Sequence, residues 1–165
     1  MDVHEYNLLL SQRHSAQEYI KQIGDVARYD EIVFCGFGEP TLRLKELLII
    51  ADYCKQSGTK VRVNTDGLGN LVNKHNILPE LAKSVDALSV SMNAQNETVY
   101  EQHCVPALKG SFDSMLDFLR LAPAYIADTT ATAIDGLDGV DIDACEAKAQ
   151  QLGVKFRRRV LDIVG

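Results

Sequence analysis

Three short segments gather small, flexible and polar residues of the kind that hold a ligand. Positions 36–41 read GFGEPT: Gly36 and Gly38 let the backbone come close to a bound molecule, with Phe37 between them, Glu39 supplies a carboxylate, and Pro40 stiffens the turn before Thr41. Positions 64–67 are Asn64, Thr65, Asp66 and Gly67. Ser89, Ser91 and Asn93 alternate, so on a strand all three side chains would share one face. Hydroxyl, amide and carboxylate groups together offer donors and acceptors, which suits a small polar ligand carrying a sugar or an amino acid. Near the end, Arg157 and Arg159 share one strand parity and Arg158 the other. A guanidinium fork there would hold a carboxylate or phosphate, or would serve only an ion pair.

Each segment also has a plainer reading. A glycine-rich turn after a strand is common, Glu39 could simply stabilise a helix N-terminus, Asp66-Gly67 is a good turn pair, and Ser89 and Ser91 could fill a tight interior. Cys35, Cys54, Cys104 and Cys145 lie 19, 50 and 41 positions apart, without the close spacing of a zinc knuckle, redox motif or local cluster loop. They read as reduced structural thiols, Cys35 as a core residue and Cys104 as one that could lie exposed at a helix end. His4, His14, His75 and His103 show no ligand spacing.

These segments follow short apolar runs, and ligands of parallel α/β folds bind at the carboxyl ends of strands. Five β-rich runs qualify: 31–36, 60–64, 87–92, 129–134 and 154–160. The first three are near-continuous in apolar or β-branched residues, as strands buried on both faces should be. Between them, 16–26, 45–56, 77–83, 96–103, 111–121 and 143–152 carry helical periodicity, as in Leu47, Ile50, Ala51 and Cys54. Gly58 and Gly153 fall where helices need a left-handed C-terminal residue. The expected architecture is α/β with five parallel strands. The chain opens on a helix-forming segment with no β-rich run before it, so the sheet is expected to lack its first strand. A doubly wound sheet using 36–41 as a phosphate loop is the weaker alternative, since no P-loop lysine or GxGxxG follows.

A length of 165 residues, 46% of them hydrophobic and 24% charged, fits one globular domain spanning 1–165. A net charge of -6 argues against a broad nucleic-acid footprint. No apolar run reaches the ~20 residues of a membrane span, and residues 1–10 have no signal-peptide pattern, so the expected compartment is the cytoplasm.

Taken in order, the three segments resemble the radical S-adenosylmethionine (SAM) superfamily. Gly36-Phe37-Gly38-Glu39-Pro40 resembles the GxGEP form of the motif after that family's second strand, whose backbone meets the SAM amino group. Asn64-Thr65-Asp66-Gly67 resembles its TNG segment, with Asp66 in place of Asn. Ser89 to Ala94 resembles its fourth-strand segment, whose Ser and Asn reach the SAM carboxylate and ribose. The stretches EIVFCGFGEPTLRLKELL, VRVNTDGLGNL, LSVSMNAQNETVYEQHCVP and LGVKFRRRV are most similar to radical SAM proteins associated with TatD-type hydrolases. The resemblance implies an incomplete (β/α)6 barrel and SAM as cofactor, whose carboxylate is one of the anions that the Arg157 or Arg159 fork would hold. It also implies a [4Fe-4S] cluster held by CxxxCxxC after the first strand, which this sequence does not contain. Two explanations are open, a sequence beginning downstream of the first βα unit, which the expected loss of a strand favours, or a cluster-free relative binding SAM, a nucleotide or a partner. A missing strand would expose a sheet edge and favour self-association.

Overall fold

The computed structural model describes residues 2–3, 6–7, 13–36 and 38–161. Two short strands, β1 (Asp2–Val3) and β2 (Tyr6–Asn7), pair antiparallel. The rest alternates strand and helix: α1 (Ala16–Ile23), β3 (Glu31–Phe34), α2 (Leu44–Gln56), β4 (Lys60–Thr65), α3 (Gly69–Asn73), α4 (Leu78–Leu81), β5 (Ala87–Ser91), α5 (Glu97–Cys104), α6 (Ser111–Leu121), β6 (Asp128–Asp135), α7 (Ile142–Gln151) and β7 (Lys155–Val160).

Strands β3 to β7 form one open, parallel five-stranded sheet in consecutive order, β3-β4-β5-β6-β7. Right-handed crossovers that always step the same way put every intervening helix on one face. A doubly wound sheet reverses direction at a switch point, so that alternative is excluded. Burial agrees: Val61, Val63, Leu88, Val90, Ala131 and Ala133 are fully buried on the outer face, against Leu47, Ile50, Ala51 and Cys54 of α2 and Met115, Phe118 and Leu119 of α6. Each such branched or aromatic side chain contributes about 1.5–3 kcal/mol. The opposite, inner face carries Arg62, Asn64, Ser89, Ser91, Thr130 and Thr132 on the alternate positions.

Side-chain capping starts three of the seven α-helices among the described residues. The Ser15 hydroxyl accepts from the Glu18 amide while Glu18 accepts from the Ser15 amide, a reciprocal capping box. Asn96 and Asp141 cap α5 and α7. Gly58 and Gly153 sit at φ +82° and +74°, as their positions after α2 and α7 require.

Strand β3 differs from its expectation. It pairs only with β4 among the described residues and stops at Phe34, leaving Val33 39% exposed and Cys35 exposed beyond its end. The apolar run suggested burial on both faces, but the helices cover only one. Cys35 is therefore not a core residue.

Candidate functional site

The loops after β3 and β4 are tied together by one side chain. Glu39 caps the 3-10 turn Pro40–Arg43, its Oε1 accepting from the Thr41 amide at 3.0 Å and the Thr41 hydroxyl at 2.7 Å. The same oxygen accepts from the Thr65 hydroxyl at 2.7 Å, and Oε2 accepts from the Asp66 amide at 2.7 Å. Four donors on one carboxylate satisfy it without any basic partner. The plain reading of Glu39 as a helix-start carboxylate is thus realised and extended: it also fixes a loop 26 and 27 positions away.

The β4 loop is locked in turn. Thr65 accepts from the Gly67 amide at 3.1 Å, and Asp66 Oδ1 accepts from the Leu68 amide at 2.9 Å. Gly67, at φ +80°, lies against the core, where an added Cβ would stand 2.9 Å from Val90 Cγ1 and 3.0 Å from Met115 Cγ. Gly36 and Gly38, at φ +128° and +109°, have open space where a Cβ would project. Glycine is needed at 67 for packing, and at 36 and 38 for backbone conformation alone.

These loops border a cleft of about 530 Å³ lined by Cys35, Gly36, Gly38, Glu39, Asn64, Thr65, Asp66, Ser91 and Arg159. Two of its polar groups are unsettled. The Oδ1 of Asn64 is buried without a hydrogen-bond partner, a state that costs roughly 1–3 kcal/mol unless a ligand or water supplies a donor. Burial, followed by the neighbouring Glu39 charge, pushes the Asp66 carboxyl up to about 6. The cleft wall thus seeks hydrogen-bond donors and positive charge. A second hollow of about 240 Å³, beside Val105 and Pro106, carries none of the motif residues.

The other expected residues distribute unevenly. Pro40 starts the turn behind the cleft, and Phe37 lies outside the described residues. Ser89 is buried one step below Ser91 on the inner face, in register with Asn64. Asn93 does not continue the Ser89–Ser91 alternation: β5 ends at Ser91, and Asn93 turns to φ +61°, its amide donating to Thr132 O at 3.0 Å and its side chain to Cys104 Sγ at 3.6 Å. Arg159 lines the cleft and Arg157 does not. Arg158 points to the outer face, bonded to Asp135 at 2.9–3.0 Å. Cys35, at the cleft wall, is the lining residue that the sequence reading placed elsewhere.

The cysteines do not fit a cluster. Cys54 and Cys145 are buried, burial raising both thiols and pushing Cys145 up to about 11. Cys104 is half-buried and likewise raised by burial. Among the described residues, no three His, Cys, Asp or Glu side chains are grouped to hold a metal. Within the same residues, no helix is long and apolar enough to cross a membrane.

No protein-family model matches the sequence, and no curated protein matches it. The fold does have solved counterparts. A structure of TYW1 with a lysine-pyruvate adduct bound superposes with a TM-score of 0.62 at 18% identity, over 82% of this chain and 43% of that one. The crystal structure of archaeal TYW1 gives 0.56 at 19% identity, over 76% and 40%. The chain therefore spans about two-fifths of the length of those proteins. At such identity the likeness is one of fold alone: an open, parallel α/β sheet.

Proposed function

We propose that the cleft binds SAM and that the chain is part of a radical SAM enzyme core, its motifs being closest to the TatD-associated subgroup. The observation that carries this reading is the unpartnered Asn64 Oδ1, buried in a cleft wall that also presents Asp66, Ser91 and the open backbone of Gly36 and Gly38. An α-ammonium supplies the donors that Asn64 Oδ1 and Asp66 lack, and the Ser91 hydroxyl can serve a carboxylate or ribose. Glu39 ties the two loops at a fixed spacing, and Thr65 and Gly67 brace that arrangement from behind. Cleavage of SAM to a 5′-deoxyadenosyl radical is the chemistry implied for an intact relative. The described residues supply no set of thiolates for its [4Fe-4S] cluster, so their part is to bind and orient SAM.

Isothermal titration of the full chain with SAM, against ATP and adenosine, tests the reading. Saturable SAM binding that Asn64→Leu weakens tenfold or more supports it, since a hydrogen bond to a charged group contributes about 1.5–3 kcal/mol. SAM binding no tighter than ATP would favour the competing reading, a cluster-free nucleotide-binding domain, and no binding at all would remove both. Anaerobic reconstitution of the native gene product with iron and sulfide tests the enzyme half: a four-iron spectrum that depends on cysteines outside this sequence supports it, and a native product that binds SAM and takes up no iron is a binding module. The edge of β3, unpaired among the described residues, favours self-pairing under the same reading; a strictly monomeric profile on sizing chromatography across a wide concentration range would count against that.

A further inference from the structure

Toward the N-terminal ends of the strands, four charged side chains of the inner face neutralise one another, and exposed Lys60 beside them has no ion pair among the described residues. Arg62 meets Glu31 at 3.0–3.1 Å and Asp128 at 4.0 Å, and Lys155 meets Asp128 at 3.0 Å. Toward the carboxyl ends the pattern breaks. Arg157 and Arg159 stand on the inner face in register with Thr132 and Ile134, and neither has an acidic partner within ion-pair distance among the described residues. Arg158, between them, faces outward and is held by Asp135, with Asp143 at 3.9 Å. Ser91, Thr132 and Arg157 lie in one register row across β5, β6 and β7, so two hydroxyls and a guanidinium line up on one face. Arg159 is one step further along the same face, about 6.6 Å away by strand rise. Because Arg159 lines the cleft and Arg157 does not, the pair bridges the cleft and the neighbouring inner surface.

We propose that Arg157 and Arg159, with the Thr132 hydroxyl, bind the phosphate group of a second small molecule that lies on the inner face beside the cleft. The donors of two guanidinium forks and a hydroxyl together exceed the about four lone-pair sites of one carboxylate, whereas a phosphate monoester presents three strong acceptor oxygens and a larger negative charge. Placing the anion beside Ser91 puts the rest of the molecule against the cleft. The substrate class is thereby a phosphorylated metabolite, and its role as substrate rests on the SAM-binding reading, while the phosphate site stands by itself.

The experiment is a titration of the full chain with inorganic phosphate, followed by NMR through the arginine Nε–H resonances, with acetate as the second arm and Arg158 as internal reference. Phosphate is expected to shift Arg157 and Arg159 saturably, with a half-point on the order of 1 mM, while Arg158 moves little and acetate fails to saturate. Arg157→Gln should weaken the response at least tenfold and leave SAM affinity within twofold. Arg157→Lys, which keeps the charge and loses the fork, should fall between, and it stands in if Arg157→Gln fails to fold. Equal responses from all three arginines, or acetate saturating alongside phosphate, would overturn the proposal. A phosphate response without SAM binding would leave this site standing and remove the cofactor reading; SAM binding without a phosphate response would do the reverse.

Discussion

The two ends of the sheet's inner face satisfy charge in opposite ways. At the N-terminal end, Glu31, Arg62, Asp128 and Lys155, drawn from β3, β4, β6 and β7, compensate one another through side chains. At the carboxyl end, Glu39 is held by hydroxyls and backbone amides, Asn64 Oδ1 has no partner, and Arg157 and Arg159 have no acid within ion-pair distance among the described residues. One end is largely compensated as folded; the other leaves these groups without protein partners among the described residues. A polar face by itself says little about binding, whereas unmatched donors and acceptors at one end of it mark where a ligand belongs.

Mutations should separate the packed floor of the site from its open rim. The largest effect is expected from Gly67→Ala, about 3 kcal/mol by urea unfolding, because its Cβ would collide with Val90 and Met115 at φ +80°. Gly36→Ala should cost only about 1 kcal/mol, from backbone strain without a clash. Equal losses at the two glycines would erase the distinction.

Next comes Glu39→Ala, which strands the Thr65 hydroxyl and the Asp66 amide and should lower stability by about 2 kcal/mol. Titration calorimetry on this variant should also show weaker SAM binding, because both loops lose their common anchor. If stability falls and affinity holds, the hub serves the fold alone.

Asp66→Asn gives a smaller and pH-dependent effect. The folded-state value of Asp66 is raised, so its contribution to stability is fully present below the ordinary value of 3.8 and is lost as pH rises through about 6. The Asn variant should therefore be more stable than the parent at pH 8, by roughly 1 kcal/mol after allowing for solvent screening, and no more stable at pH 4. Thermal unfolding across that range checks it, and a pH-independent difference would contradict it. Smallest is Arg62→Gln at the paired end, about 0.5–1 kcal/mol with SAM affinity unchanged; a loss of affinity there would mean that the two ends are coupled.

Much of the fold was legible because its pattern is local. The periodicity over 111–121 predicts the helix Ser111–Leu121, whose Phe112, Met115, Phe118 and Leu119 recur at helical spacing, and the apolar runs predict the strands ending in Thr65 and Ser91 to within a residue or so. Helix α3 has no signature in the sequence because its five residues, including Gly69, Asn70 and Asn73, carry no apolar period and low propensity. Cys35 was misplaced since an apolar run does not reveal that one side of the sheet has no covering layer. Asn93 left its expected face through a single left-handed residue, a change the alternation cannot signal. The positions of Glu39 and Asp66 in the site were legible from their motifs, but the bond between them, 27 positions long, was not.

That bond has a kinetic consequence. The Asp66 amide sits in a loop at the mouth of a cleft, where exchange with solvent deuterium would ordinarily be fast, yet it is sealed against the Glu39 carboxylate at 2.7 Å. The seal requires β3 and β4 to be paired in register, so this proton is released only when that strand pair parts or its loop lifts. Its exchange rate is a clock for the moment at which the mouth comes apart, and a cleft ligand that braces both loops should slow it.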